Sequence, residues 1–133
     1  MILGVGTDLC DIRRLERILK RFAGRFTERV YAQSERKTAE ARARPANAYA
    51  QRYAAKEACA KALGTGFSGG VFWRDLVVEN LPSGQPVMRL GGGARVRLDA
   101  LTPAGMEARV DLSLSDEYPL AQAVVIISAV PAA

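Results

Sequence analysis

Residues 2–9, ILGVGTDL, alternate loosely between aliphatic and small or polar positions, the pattern of a strand. Gly4 and Gly6 weaken that strand and mark either a bulge or a close approach by another backbone. Asp8 falls at its end, and Asp11 stands where an N-cap belongs. The period then changes. Ile12, Leu15, Leu19 and Phe22 follow at spacings of three, four and three, one face of a helix. Arg13, Arg14, Arg17, Lys20 and Arg21 lie off that face, and Gly24 suits its C-cap. Residues 25–44 keep helical character, with Phe26, Val30 and Tyr31 to one side, until Pro45 interrupts. Ala48–Leu63 is the most strongly helical run, and Gly64 stops it.

Past Phe67 the composition turns β-branched and aromatic. Residues 69–81 predict a strand, PSGQP a turn and VMRL the returning strand of a hairpin. Residues 91–101 read as a glycine entry into a short helix. Near the end, Val110, Leu112 and Leu114 point one way while Asp111, Ser113 and Ser115 point the other. Residues 116–119 turn, and Ala121–Ser128 return as an apolar strand. Strand, helices, then hairpins describe one α+β domain over residues 1–133.

Composition narrows the chemistry. The chain is long enough to bury a core without disulfide or metal staples. No apolar run approaches the roughly 20 residues of a membrane span. The start, MILGVGTD, lacks the basic region of a signal peptide. Cys10 and Cys59 form no C-x-x-C motif. The expectation is a reduced, cytoplasmic protein with no membrane association. Histidine is absent, which removes Ser-His-Asp triads, Cys-His pairs and imidazole ligands. Acid–base work falls to Asp, Glu, Lys, Tyr or water, and a metal would be a hard, oxygen-bound ion such as magnesium, calcium or manganese.

The net charge of +5 is uneven: residues 1–52 hold 12 Lys+Arg against 6 Asp+Glu, and residues 53–133 hold 7 against 8. The first part therefore faces an acidic partner (nucleic acid, a phosphorylated ligand or an acidic protein) or is a solvated basic face.

The richest stretch is RYAAKEACAKALGTGF, residues 52–67. Tyr53, Glu57 and Lys61 share one helical face, and Gly64 continues the stripe. Glu57 and Lys61 suit an exposed i, i+4 ion pair worth a few tenths of a kcal/mol, with Gly64 as an ordinary cap. Against that reading stand Ala54, Ala55, Ala58, Ala60 and Ala62, which leave room for close approach by a neighbour or a ligand. Gly64, Thr65 and Gly66 then offer free backbone amides beside a hydroxyl, which suits phosphate oxygens. This is not a P-loop, because the glycines follow the helix, and the helix dipole there disfavours an anion. Asp8 and Glu57 together would hold a divalent ion with open positions; otherwise Asp8 is a turn or capping residue.

GVGTDLCDIRRLE, RFTERV, RYAAKEACAKALGTGF and VDLSLSDEYPLAQAVVII, in that order, resemble the holo-acyl-carrier-protein synthases, the small bacterial 4′-phosphopantetheinyl transferases. The resemblance runs nearly end to end. It implies that family's α+β fold, an antiparallel sheet packed on a long central helix. It implies transfer of phosphopantetheine from coenzyme A to a serine of apo-acyl carrier protein in fatty acid biosynthesis. Magnesium, with manganese as an alternative, would lie between the diphosphate and two carboxylates matching Asp8 and Glu57. Lys61 matches a lysine at the phosphate under attack. Arg52, Gly64, Thr65 and Gly66 match positions near the coenzyme A phosphates, and the turn with Gly84 and Pro86 lies by the adenine. Arg14, Arg25 and Arg29 match positions that meet the carrier protein's acidic helix. Members assemble as trimers with sites at subunit interfaces. Asp111 and Asp116 depart from the pattern, standing where many members carry histidine.

Two other classes fit part of the residue pattern. A small basic nucleic-acid-binding protein accounts for the arginines and a pI of about 9.6, but leaves Asp8, Glu57 and Lys61 without a role. A magnesium-dependent nucleotide hydrolase shares the carboxylates and the GTG. The resemblance favours the transferase, with no nucleic acid among its partners.

Overall fold

The computed structural model describes all of residues 1–133. Strand β1 (Ile2–Asp11) runs directly into helix α1 (Ile12–Phe22). Asp11 is the expected N-cap: its carboxylate accepts from the Arg13 amide at 3.0 Å. The first helical amide, that of Ile12, donates to the Pro119 carbonyl at 2.7 Å. Ile12 and Leu15 are fully buried, but Phe22 is 43% exposed, so the apolar face of α1 fades before its end.

The break after α1 falls at Ala23, with φ 46°, and not at the expected Gly24 cap. Gly24 instead opens helix α2 (Gly24–Val30). The kink re-aims the chain so that Thr27 and Val30 become buried. Tyr31 and Ala32 are extended, and helix α3 (Gln33–Glu40) begins after them. The extended step lets the buried Tyr31 hydroxyl donate to the Tyr49 carbonyl at 2.8 Å. Pro45 does not interrupt a helix. It starts helix α4 (Pro45–Ala62), three residues earlier than the pattern suggested, because proline at the first helical position has no amide to lose.

Helix α4 is the centre of the molecule. Strands β1, β5 (Leu120–Pro131) and β4 (Met106–Glu117) form an antiparallel sheet in the order β1-β5-β4, laid against it. Ala121, Ala123, Val125, Ile127 and Ala129 of β5 point inward and are buried. Both sequence readings of the β1 glycines hold. The register slips between Ile2 and Gly4, and a β-carbon on Gly4 or Gly6 would collide with the carbonyl of Ala62 or Ala58. The alanines of α4 and the glycines of β1 are thus one feature, a strand pressed onto a helix backbone.

The outer face of the sheet is different. Ile2, Val5, Leu9, Leu120 and Ile126 stand exposed on β1 and β5.

Strands β2 (Leu76–Asn80) and β3 (Pro86–Leu90) form a separate hairpin. The β-type run begins later than its composition suggested. Trp73–Asp75 closes a 3-10 turn in which the Asp75 carboxylate accepts from the Phe72 amide at 3.0 Å. Helix α5 (Gly92–Leu101) follows.

Both thiols are free and buried. Burial, more than any charge, pushes Cys59 up to about 12 and Cys10 up to about 11 from an ordinary 9.0. A raised acid pKa means that the unfolded chain releases these protons first. Stability should therefore fall as pH rises from about 9 toward 11. At pH 8 the native protein should resist iodoacetamide, and both thiols should be alkylated once urea unfolds it.

Candidate active site

The contact of β1 with α4 decides what α4 can do. It brings Asp8 across from Lys61. The Glu57–Lys61 pair that helical spacing allows does not form. The Lys61 ammonium instead donates to Asp8 Oδ1 at 2.9 Å and to the Thr7 carbonyl at 3.1 Å. The Asp8 side chain is 14% exposed and that of Lys61 53%, so the pair lies at the solvent edge of the α4–β1 contact.

Glu57, one turn before Lys61, makes no ion pair and is half-buried. Its charge and that of Asp8 both reach Cys10, where they add to burial in raising the thiol, against Arg14. Burial and then Glu57 raise the Tyr53 hydroxyl as well. The Tyr53 ring stacks on Trp73 at 5.0 Å and carries the Arg14 guanidinium at 5.7 Å. Asp8, Glu57, Lys61, Tyr53 and Arg14 thus gather on one side of the α4–β1 junction.

This donor set fits a divalent cation. The two carboxylates come from facing elements. Only Oδ1 of Asp8 is tied up, and Glu57 forms no ion pair. No group of three His, Cys, Asp or Glu gathers anywhere in the chain. An ion held by Asp8 and Glu57 would therefore fill its coordination from substrate and water, as magnesium does on phosphate esters.

The turn after α4 differs from expectation. Gly64 (φ 79°) and Gly66 (φ 58°) adopt the left-handed backbone that favours glycine. Their amides are not free. Gly64 N–H donates to the Lys61 carbonyl at 2.9 Å and Gly66 N–H to the Ala60 carbonyl at 3.1 Å. The orphan carbonyls at the helix end claim those donors. The Thr65 amide is the one without a partner in the chain, and the Thr65 hydroxyl donates to the Gly66 carbonyl at 2.9 Å.

Arg52, expected near a phosphate, is buried in α4. It donates to the Ala48 carbonyl at 3.3 Å and to Asn80 Oδ1 at 2.9 Å, and its Nε has no partner. Asn80 in turn donates to the Gly84 carbonyl at 3.1 Å and pairs with Pro86 across the hairpin. One short relay therefore joins Arg52 to the turn of Gly84 and Pro86. Arg14, Arg25 and Arg29 are exposed and unpaired on α1 and α2. Arg29 edges an apolar hollow with Phe67, Val71, Phe72, Trp73 and Arg74. Asp111 lies 3.8 Å from Arg109, and Asp116 accepts from Asn47 Nδ2 at 3.2 Å.

Pattern reading missed three residues. Asn80 has no sequence signal. Lys56 is fully buried and paired with Glu35, although its place one turn after Arg52 among alanines hinted at an inner face. Arg97 on α5 donates through Nε to the Leu63 carbonyl at 2.9 Å, beside the Gly64 turn.

Residues 4–123 match the model of the 4′-phosphopantetheinyl transferase superfamily. The holo-[acyl-carrier-protein] synthase of Methylorubrum extorquens (strain PA1) is 64% identical over 131 residues, covering 98% of this chain and 96% of the relative. The crystal structure of the Neisseria meningitidis holo-[acyl-carrier-protein] synthase superposes with a TM-score of 0.84 at 35% identity, covering 96% of this chain and 99% of that one. The Helicobacter pylori enzyme, solved in complex with coenzyme A, gives 0.79 at 28% identity, covering 93% and 99%. The chain belongs to the 4′-phosphopantetheinyl transferase superfamily, among its holo-[acyl-carrier-protein] synthases.

Proposed function

We propose that the protein transfers the 4′-phosphopantetheine group of coenzyme A to a serine of apo-acyl carrier protein, releasing adenosine 3′,5′-bisphosphate, in fatty acid biosynthesis. The observation that carries this reading is the junction of Asp8, Glu57 and Lys61 in a chain of this family. The serine oxygen forms a bond to phosphorus, the bond from that phosphorus to the diphosphate bridge breaks, and the serine proton leaves. Lys61, steadied by Asp8 and the Thr7 carbonyl, supplies positive charge beside the phosphorus. Glu57 is the unpaired carboxylate able to receive the serine proton. Magnesium, or manganese, held by Asp8 and Glu57 would neutralise charge on the diphosphate. The turns of Gly64–Gly66 and Gly84–Pro86 hold the coenzyme, and the buried Arg52 positions the second of them through Asn80.

The whole chain acts as one catalytic domain in a homotrimer with sites at the subunit interfaces. Support comes from the exposed apolar face of Ile2, Val5, Leu9, Leu120 and Ile126, which a second copy would cover. Two free, buried thiols suit a reducing compartment, the cytoplasm.

Arg14, Arg25 and Arg29 dock the acidic carrier. Steady-state kinetics test this part. Arg14→Glu or Arg29→Glu should raise KM for the carrier at least about tenfold and leave KM for coenzyme A nearly unchanged. The wild-type carrier KM should also rise with salt. Equal rises in both constants would contradict the docking role.

A further inference from the structure

Five of the seven cations after residue 53 have a carboxylate partner: Lys56, Lys61, Arg89, Arg95 and Arg109. Arg97 has none. It is half-buried, and its Nε is fixed on the Leu63 carbonyl at 2.9 Å. Its terminal nitrogens bond nothing in the chain. One of them, Nη2, stands 3.4 Å from where a β-carbon on Gly64 would be. The guanidinium is thus held in place by one donor and presents the others over the Gly64–Gly66 turn. The Thr65 amide in that turn also lacks a partner.

The same placement answers an electrostatic objection. The C-terminal end of a helix carries partial negative charge and repels anions. The α4 terminus would therefore be a poor phosphate site by itself. A guanidinium bonded to the last turn's carbonyl cancels that charge, and a planar fork with free donors suits phosphate oxygens.

We propose that Arg97 is a coenzyme-binding residue that holds a phosphate of coenzyme A against the Gly64–Gly66 turn. This rests on the transferase reading above. Arg97 touches the bound coenzyme but not the reacting serine, so its loss acts on affinity and not on the chemical step.

The test is the kinetics of Arg97→Gln and Arg97→Lys with coenzyme A and an apo-carrier. Arg97→Gln should raise KM for coenzyme A about tenfold, with kcat and carrier KM within about twofold of wild type. Arg97→Lys should recover part of the loss, and the gap should narrow at high salt. Dephospho-coenzyme A identifies the phosphate. A penalty that persists with it assigns the diphosphate, and one that vanishes assigns the 3′-phosphate; either supports the proposal. A purely structural cap would lower the melting temperature and leave KM for coenzyme A unchanged. That result, or a parallel rise in both KM values, overturns the proposal while wild-type transfer leaves the transferase reading standing. Absence of transfer by the wild type would instead remove the reading on which it rests.

Discussion

Asp8→Ala and Glu57→Ala should each lower turnover by about a thousandfold or more, and raising the magnesium concentration should not restore it. The two residues come from different elements, and only the pressing of β1 onto α4 brings them to the same junction. Each loss removes one of two carboxylates where no third His, Cys, Asp or Glu stands ready. Asp8→Ala also releases the Lys61 ammonium from its 2.9 Å contact. The amide variants Asp8→Asn and Glu57→Gln keep shape and remove charge, and should be nearly as impaired. Steady-state rates at several magnesium concentrations measure this. Near-normal rates in both alanine variants would remove the pair from the chemistry. A drop matched by a loss of thermal stability would assign them a structural role.

Lys56→Met should destabilise the fold by about 3–5 kcal/mol. Lys56 and Glu35 are both fully buried and lie 2.7 Å apart. Glu35 Oε1 also accepts from the Ala32 amide at 2.9 Å, and Oε2 accepts from the Val78 amide at 3.1 Å. Lys56 also donates to the carbonyls of Trp73, at 3.1 Å, and Leu76. Burial pulls the Lys56 pKa down, and Glu35 opposes that pull. The pair therefore ties α3, α4 and the start of β2 together with every charge answered. Removing the lysine leaves a buried carboxylate without a counter-ion. Urea unfolding at fixed protein concentration reads the loss. Lys56→Met combined with Glu35→Met removes both charges and should recover part of the stability. A single-variant loss below about 1 kcal/mol would mean that the pair is not the tie described here.

The contrast between Lys56 and Lys61 shows where sequence is legible. Both are lysines on the same alanine-rich helix, five residues apart. The stripe of Tyr53, Glu57 and Lys61 was visible because helical spacing is local. The partner of Lys61 was not, since only tertiary packing chooses Asp8 over the nearer Glu57. Gly4 and Gly6 did announce a close approach, and alanines on α4 announced the room for it; matching the two needs the fold. The α+β class followed from the change of period along the chain. Helix ends differ from the local pattern in two places. Ala23 takes a left-handed turn beside a glycine that does not, which buries Thr27 and Val30, and Pro45, expected to interrupt the run of residues 25–44, opens α4. Of the free amides expected of the GTG turn, those of Gly64 and Gly66 are claimed by the helix's own carbonyls and only that of Thr65 stays free. The family resemblance, carried by four segments in order, named the reaction that the residues alone left shared among three classes.

The central claim is the transfer itself, and the mass of the carrier reports it most directly. Coenzyme A, magnesium and an apo-acyl carrier protein are incubated with the chain, and the carrier is weighed by mass spectrometry. The account predicts a gain of one phosphopantetheine unit, lost when the acceptor serine is replaced by alanine. An unchanged mass, with a carrier that another transferase can modify, would contradict it.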